Sequence, residues 1–140
     1  MNLDRTVLIV TGAHLEAEVH DRPLAYGLRE RMLERLAGAG HEGARVIVCS
    51  DVWYLNNEPL RRRPTVSIGA PGVNALSAFV GDKLPSVFTV DGVMVVQADL
   101  EMIDQVVCCW GRDAGATRAA VEAFEERYLG QFLEAATAEW

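Results

Sequence analysis

Basic charge is scarce in this chain. Lysine and arginine number 13 against 20 aspartates and glutamates, a formal net charge of -7. A broad phosphate-facing surface is therefore not expected, and nucleic acid is set aside as a partner. The one basic run, Arg61-Arg62-Arg63, reads as a solvated loop. Cysteine is sparse too. Cys49, Cys108 and Cys109 each lie inside an apolar run, and an odd number of such thiols suits a reducing compartment better than a disulfide framework. Long apolar runs are missing: the first, Thr6 to Val10, is too short for a signal-peptide core. No stretch approaches the roughly 18 apolar residues of a membrane span. The expectation is a soluble, cytoplasmic protein with no membrane partner. Internal repeats and low-complexity tracts are absent as well, so residues 1–140 are expected to form a single domain.

What is present is a globular balance, half hydrophobic and about a quarter charged. Thr6-Val-Leu-Ile-Val10 is a β-branched run of the kind covered on both faces. A helix is expected to begin near Asp21-Arg22-Pro23, with Asp21 as its cap, and to present Leu24, Leu28, Met32, Leu33 and Leu36 inward until Gly38 and Gly40. Arg45 to Cys49 reads as the second strand, completing a strand–helix–strand unit. Trp53-Tyr54-Leu55 could extend it before Asn56-Asn57-Glu58-Pro59 breaks the pattern. A third strand at Thr65–Ile68 leads to a short helix capped by Asn74, with Leu76, Phe79 and Val80 inward. Val87–Val90 and Val93–Val96 flank Asp91-Gly92, a two-residue hairpin turn. The last strand spans Gln105–Trp110, and one final helix runs from about Ala116 to Ala136. Together these predict an α/β fold: a three-layer, Rossmann-like or flavodoxin-like domain with a mixed, mostly parallel sheet of about six strands.

In such sheets ligands bind where strands deliver their carboxyl ends. Four strands end in small or polar residues, which makes Thr11, Gly12, Ser50, Asp51, Gly69, Gly72, Asn74, Gly111, Arg112 and Asp113 the candidate ligand-binding residues. Gly69-Ala-Pro-Gly-Val-Asn74 could let an anion approach backbone amides or be a plain turn and cap; it matches neither dinucleotide- nor phosphate-loop patterns. Arg112 could fork onto a carboxylate or phosphate, or Arg112 and Asp113 could pair with each other or cap the helix that follows. His14, Glu16, Glu18 and His20 sit at spacings that could hold a divalent metal or simply form a solvated loop, and no second ligand cluster completes a site. Cys108 and Cys109, adjacent in a strand, point to opposite faces and read as packing.

Gly69-Ala-Pro71-Gly-Val-Asn74, followed by Gly111 and Ala116-Thr117-Arg118-Ala119-Ala120, resembles the G-G-P-x-x-N and A-T-R-x-A pattern of archaeal surface-layer and related cell-wall-binding modules. The resemblance spans residues 65–124, with Ala70 at the second glycine. It implies a non-catalytic α/β module used in assembly or binding and assigns no catalytic residue.

The sequence names no reaction, catalytic residue or cofactor. Its first functional reading is a domain that binds a small anionic ligand at the strand-end rim through Gly72, Asn74 and Arg112. Its second is a structural module that self-associates as a homo-oligomer through an exposed patch of Trp53, Tyr54, Leu55, Phe132 and Trp140. A metal-dependent hydrolase built on His14, Glu16 and His20 is the third.

Overall fold

In the computed structural model, which describes residues 2–140, six strands form one sheet in the order β2-β1-β3-β6-β5-β4. β1 (Thr6–Thr11), β2 (Arg45–Ser50), β3 (Thr65–Ile68) and β6 (Val106–Gly111) are mutually parallel. β5 (Met94–Ala98) runs against β6, and β4 (Ser86–Val90) runs against β5. The third strand is therefore parallel to the first, and β4 points the same way as both.

Alternation along β1 sorts the core into two halves. Val7 and Ile9 pack with Ala25, Leu28, Met32 and Leu36 of α1 (Arg22–Gly38) and with Phe124 and Phe132 of α5 (Ala114–Arg127) and α6 (Leu129–Thr137). Leu8 and Val10 pack on the opposite face with Tyr54 of α2 (Asp51–Leu55), Leu60 of α3 (Glu58–Arg61), and Leu76 and Val80 of α4 (Ala75–Val80). Helices thus cover both faces, with β1 and β3 in the middle and buried throughout. Cys109 joins the first half and Cys108 the second, as strand alternation requires.

Four local expectations are corrected. Residues 51–55 are helix, not strand: Ser50 Oγ accepts from the Trp53 amide at 3.3 Å, and this cap outweighs the strand preference of Trp53-Tyr54-Leu55. The hairpin loop has three residues, since Val90 pairs with Met94 and Gly92 takes φ +70°; a three-residue loop uses one left-handed position for that purpose. Phe79 is 55 % exposed, and Ser77 takes the inward position, hydrogen-bonded to Ser67 at 2.9 Å. The last helix breaks at Tyr128, whose backbone leaves helical values at φ -131° while its hydroxyl donates to the Val87 carbonyl at 3.0 Å. The expected apolar patch also fails to form, because Tyr54 and Phe132 are core residues. Tyr54 shares a 3.1 Å hydrogen bond with Thr65, and Phe132 packs edge-on against Phe124.

Both outer strands are tied to a helix side chain. Arg29 Nε of α1 donates to the Val46 carbonyl of β2 at 2.8 Å. Val87 lies where the β4 register shifts, and its carbonyl takes the Tyr128 bond. Main-chain acceptors on edge strands otherwise invite another chain. Replacing Tyr128 by Phe should cost about 1 kcal/mol, read as a lower urea midpoint at unchanged slope; an unmoved midpoint would show that this bond does not hold β4.

Candidate functional site

The carboxyl ends of the parallel strands line up. Thr11 is level with Ser50 on one side and with Ile68 on the other, and Ile68 is level with Cys109. The hairpin loop joins them, because the Arg112 amide donates to Val93 O at 2.8 Å. All ten candidate residues therefore occupy one rim. The strand order reverses between β1 and β3, where open α/β sheets form their crevice.

Much of that crevice is filled by the chain itself. A Cβ at Gly12 would come within 1.7 Å of the Val73 carbonyl oxygen, so only glycine lets the loops after β1 and β3 close on each other. Asn74, 1 % exposed, spans the gap: Nδ2 donates to Val10 O at 3.2 Å and to Ile68 O at 2.8 Å. Its Oδ1 accepts from the Leu76 and Ser77 amides. Asp51 is buried too, accepting from its neighbour Val52 at 2.7 Å and from the Ala75 amide at 2.7 Å. The first three amides of α4 are all engaged. At α5, Asp113 Oδ1 accepts from the Ala116 amide at 2.8 Å, while its other oxygen lies 3.7 Å from Arg112 Nε in an exposed pair. The buried Gly111 amide donates to Thr117 Oγ1 at 3.1 Å. Ser50 caps α2, and Gly72 lies in an exposed turn. Caps and clamps account for most of what the sequence marks as ligand-binding.

Two groups on the α1 side of the sheet have no such employment. Asp21 closes a π-helical turn, Ala17–Asp21, that runs straight into α1. Pro23 supplies no amide to the Val19 carbonyl and its ring crowds that oxygen; the wider turn just before it relieves the clash, and the Arg22 amide reaches back to Ala17 O. Asp21 therefore does not cap the helix as expected: its backbone is helical and its side chain makes no capping bond. It turns inward instead, 6 % exposed, and one carboxylate oxygen sits 2.7 Å from where a Cβ on Gly69 would be. Gly69 also takes φ +120°, which other residues rarely adopt. Among the described residues no side chain or amide donates to this carboxylate. Burial pushes its pKa up to about 6, with His20 lowering it and Glu16 raising it. On the same rim Thr11, wholly buried and paired with Ile68 next to Gly69, has a hydroxyl with no partner among the described residues.

Known proteins offer no guide. No family model, curated protein or solved structure matches this chain.

The remaining sequence candidates are dispersed. No three His, Cys, Asp or Glu side chains converge as a metal site among the described residues, and Glu18 turns to Arg22 at 3.6 Å. In the basic run Arg62 pairs with Glu58 and Arg63 donates to the Thr6 carbonyl. Two clefts of about 490 and 570 Å³ lie at the amino ends of the strands beside Arg5, Arg62 and Trp140, and between α1 and α5. A smaller one of about 270 Å³ holds Trp110 and Arg112 beside the hairpin. Asp21 was hidden in the sequence because aspartate before Arg-Pro reads as a cap; the inward pair Ala17 and Asp21, four apart, was the signal available.

Linkage fixes the sign of one test. A carboxyl whose folded pKa lies above its unfolded value favours folding at low pH, and this contribution is lost as pH rises from about 4 through 6. Asp21→Asn should thus be more stable than the parent at pH 7.5 by on the order of 1–2 kcal/mol, allowing for solvent screening, with the gap closing near pH 4. Urea midpoints across this range measure it, and a constant gap would mean that Asp21 is not the titrating group. Asn74→Ala should be costly by contrast, about 3 kcal/mol, because it removes a cap and leaves two buried carbonyls bare; thermal denaturation reads this directly.

Proposed function

We propose that this chain is a small-molecule-binding domain whose ligand sits on the carboxyl-end rim, anchored by Asp21 where the strand order reverses. One observation carries the reading: a buried carboxylate without a protein donor, on the same rim as a buried hydroxyl without a partner. Burying a charge unpaired costs several kcal/mol. Buried polar groups left so in a native fold cluster at sites of function. A ligand that brings donors to Asp21 and Thr11 would offset that cost. For an anionic portion of the ligand, Arg112, two-thirds exposed in its side chain, and the open turn at Gly72 are the groups at hand. The amides of α4 are not, since Asp51 and Asn74 already hold them.

Self-association as an assembly module is the second reading. Its support is the set of exposed apolar side chains on segments after β1 and β2, namely Leu15, Val19, Val52 and Trp53. Light scattering at rising concentration separates the two, and a strict monomer removes the second.

A thermal-shift screen tests the first. Nucleosides, sugar phosphates, amino acids and polyamines at millimolar concentration should include at least one compound that raises Tm by several degrees. A ligand at a hundred times its Kd adds about 2.7 kcal/mol. The same compound should leave Asp21→Asn unmoved. A screen in which nothing stabilises the parent protein, or in which the variant responds equally, overturns the reading.

A further inference from the structure

We infer that the ligand group seated on Asp21 is a primary ammonium. The inference rests on the rim-site reading above and adds to it the chemical class of the ligand.

The cations of the rim do not pair with Asp21. Arg22 leans on Glu18 at 3.6 Å and over the Tyr26 ring at 5.6 Å, and Arg112 leans on Asp113 at 3.7 Å. His20, whose charge lowers the Asp21 pKa, is exposed and makes no ion pair with it among the described residues. The carboxylate is thus buried without an ion-pair partner among the described residues, in a chain whose net charge is -7.

Charge and donor count then select the guest. The unpartnered set consists of acceptors: the carboxylate oxygens of Asp21, which receive no hydrogen bond among the described residues, and the enclosed hydroxyl of Thr11, which can also accept. An ammonium brings three N–H donors and one positive charge on a compact head, matching three acceptors and one negative charge. A diol supplies donors but no charge, so the carboxylate stays uncompensated. A phosphate or carboxylate brings charge of the wrong sign to Asp21, with Glu16 nearby. A divalent cation is held best by several converging ligands, and no group of three or more His, Cys, Asp or Glu side chains converges among the described residues. Gly69 contributes by default: any side chain there would press on the Asp21 oxygen.

The test is an amide ¹H–¹⁵N chemical-shift titration of the whole protein at pH 7.5, followed at Gly12, Gly69 and Gly111. The probes are methylammonium, tetramethylammonium, 1,2-propanediol, inorganic phosphate and magnesium, each against potassium chloride at matched ionic strength. Methylammonium is expected to move these amides with millimolar affinity, weakened at least tenfold by Asp21→Asn and about threefold by Thr11→Val. Tetramethylammonium, equally charged but without N–H donors, should leave them in place. Movement by the diol, phosphate or magnesium without movement by methylammonium overturns the ammonium assignment and leaves the rim site standing. So does an equal response to tetramethylammonium. Silence of all three amides toward every probe overturns the site itself.

Discussion

The carboxamide of Asn74 is the interaction on which the rest of the rim depends. Its two N–H groups and two oxygen lone pairs are all used, and they join three elements: the Val10 carbonyl near the end of β1, the last carbonyl of β3 and the first turn of α4. β1 and β3 diverge at this point because the chain leaves in opposite directions from them, so these carbonyls would otherwise face each other bare. One amide satisfies both and sets where α4 begins. Asp51 repeats the device one strand further out, fastening its own helix to the start of α4. Between β1 and β3 the α4 side of the crevice is consequently closed by Asn74 and Asp51, while Asp21 and Thr11 are left without partners.

That asymmetry bears on ligand charge. Helix N-termini attract anions because their first amides are unsatisfied and the dipole adds to them. Here α2, α4 and α5 begin at the rim, but Ser50, Asn74, Asp51 and Asp113 hold their leading amides. Two of those groups are aspartates, so the positive ends are neutralised as well as occupied. A phosphate arriving at α4 would have to displace a carboxylate that bridges two helices. The glycine-rich turn at Gly69–Gly72 resembles an anion cradle in composition, while its hydrogen bonds close inward, with the Val73 and Asn74 amides both donating to Ala70 O.

How much of this was legible follows from where the physics was local. Continuous β-branched runs such as Thr6–Val10 and Thr65–Ile68 can be read because a strand buried on both faces tolerates little else, and the caps at Asn74 and Asp113 can be read because the bond spans only two or three residues. The short helix at Asp51–Leu55 was obscured by aromatic residues whose intrinsic preference is for strand; what decides it is the Ser50 cap and the docking of Tyr54 onto Thr65, eleven residues away. The break at Tyr128 was invisible, since the apolar spacing continues across it and its cause is a carbonyl on a distant strand. Phe79 and Ser77 exchanged roles because the buried hydroxyls of Ser67 and Ser77 and the Cys108 thiol form a chain that hydrophobicity does not anticipate. Asp21 was read as a cap since a π-turn cannot be told from an α-turn by spacing alone.

Asp21 is the buried carboxylate left without a donor, in a molecule whose other buried unpartnered side-chain atoms among the described residues are Thr11 Oγ1, Gln97 Oε1 and Trp110 Nε1. The same fold that commits every polar atom of Asn74 and ties Asp51 across two helices gives its second buried aspartate no such bond. Asparagine would fit the same space and would lack the charge, and at neutral pH it would favour folding. Packing gives no reason for aspartate here, and Gly69 has no side chain that could have supplied a partner. A carboxylate that weakens the fold at neutral pH and is shielded from solvent gains from its charge only when something positively charged comes to meet it. In that state the penalty on folding becomes a contribution to binding.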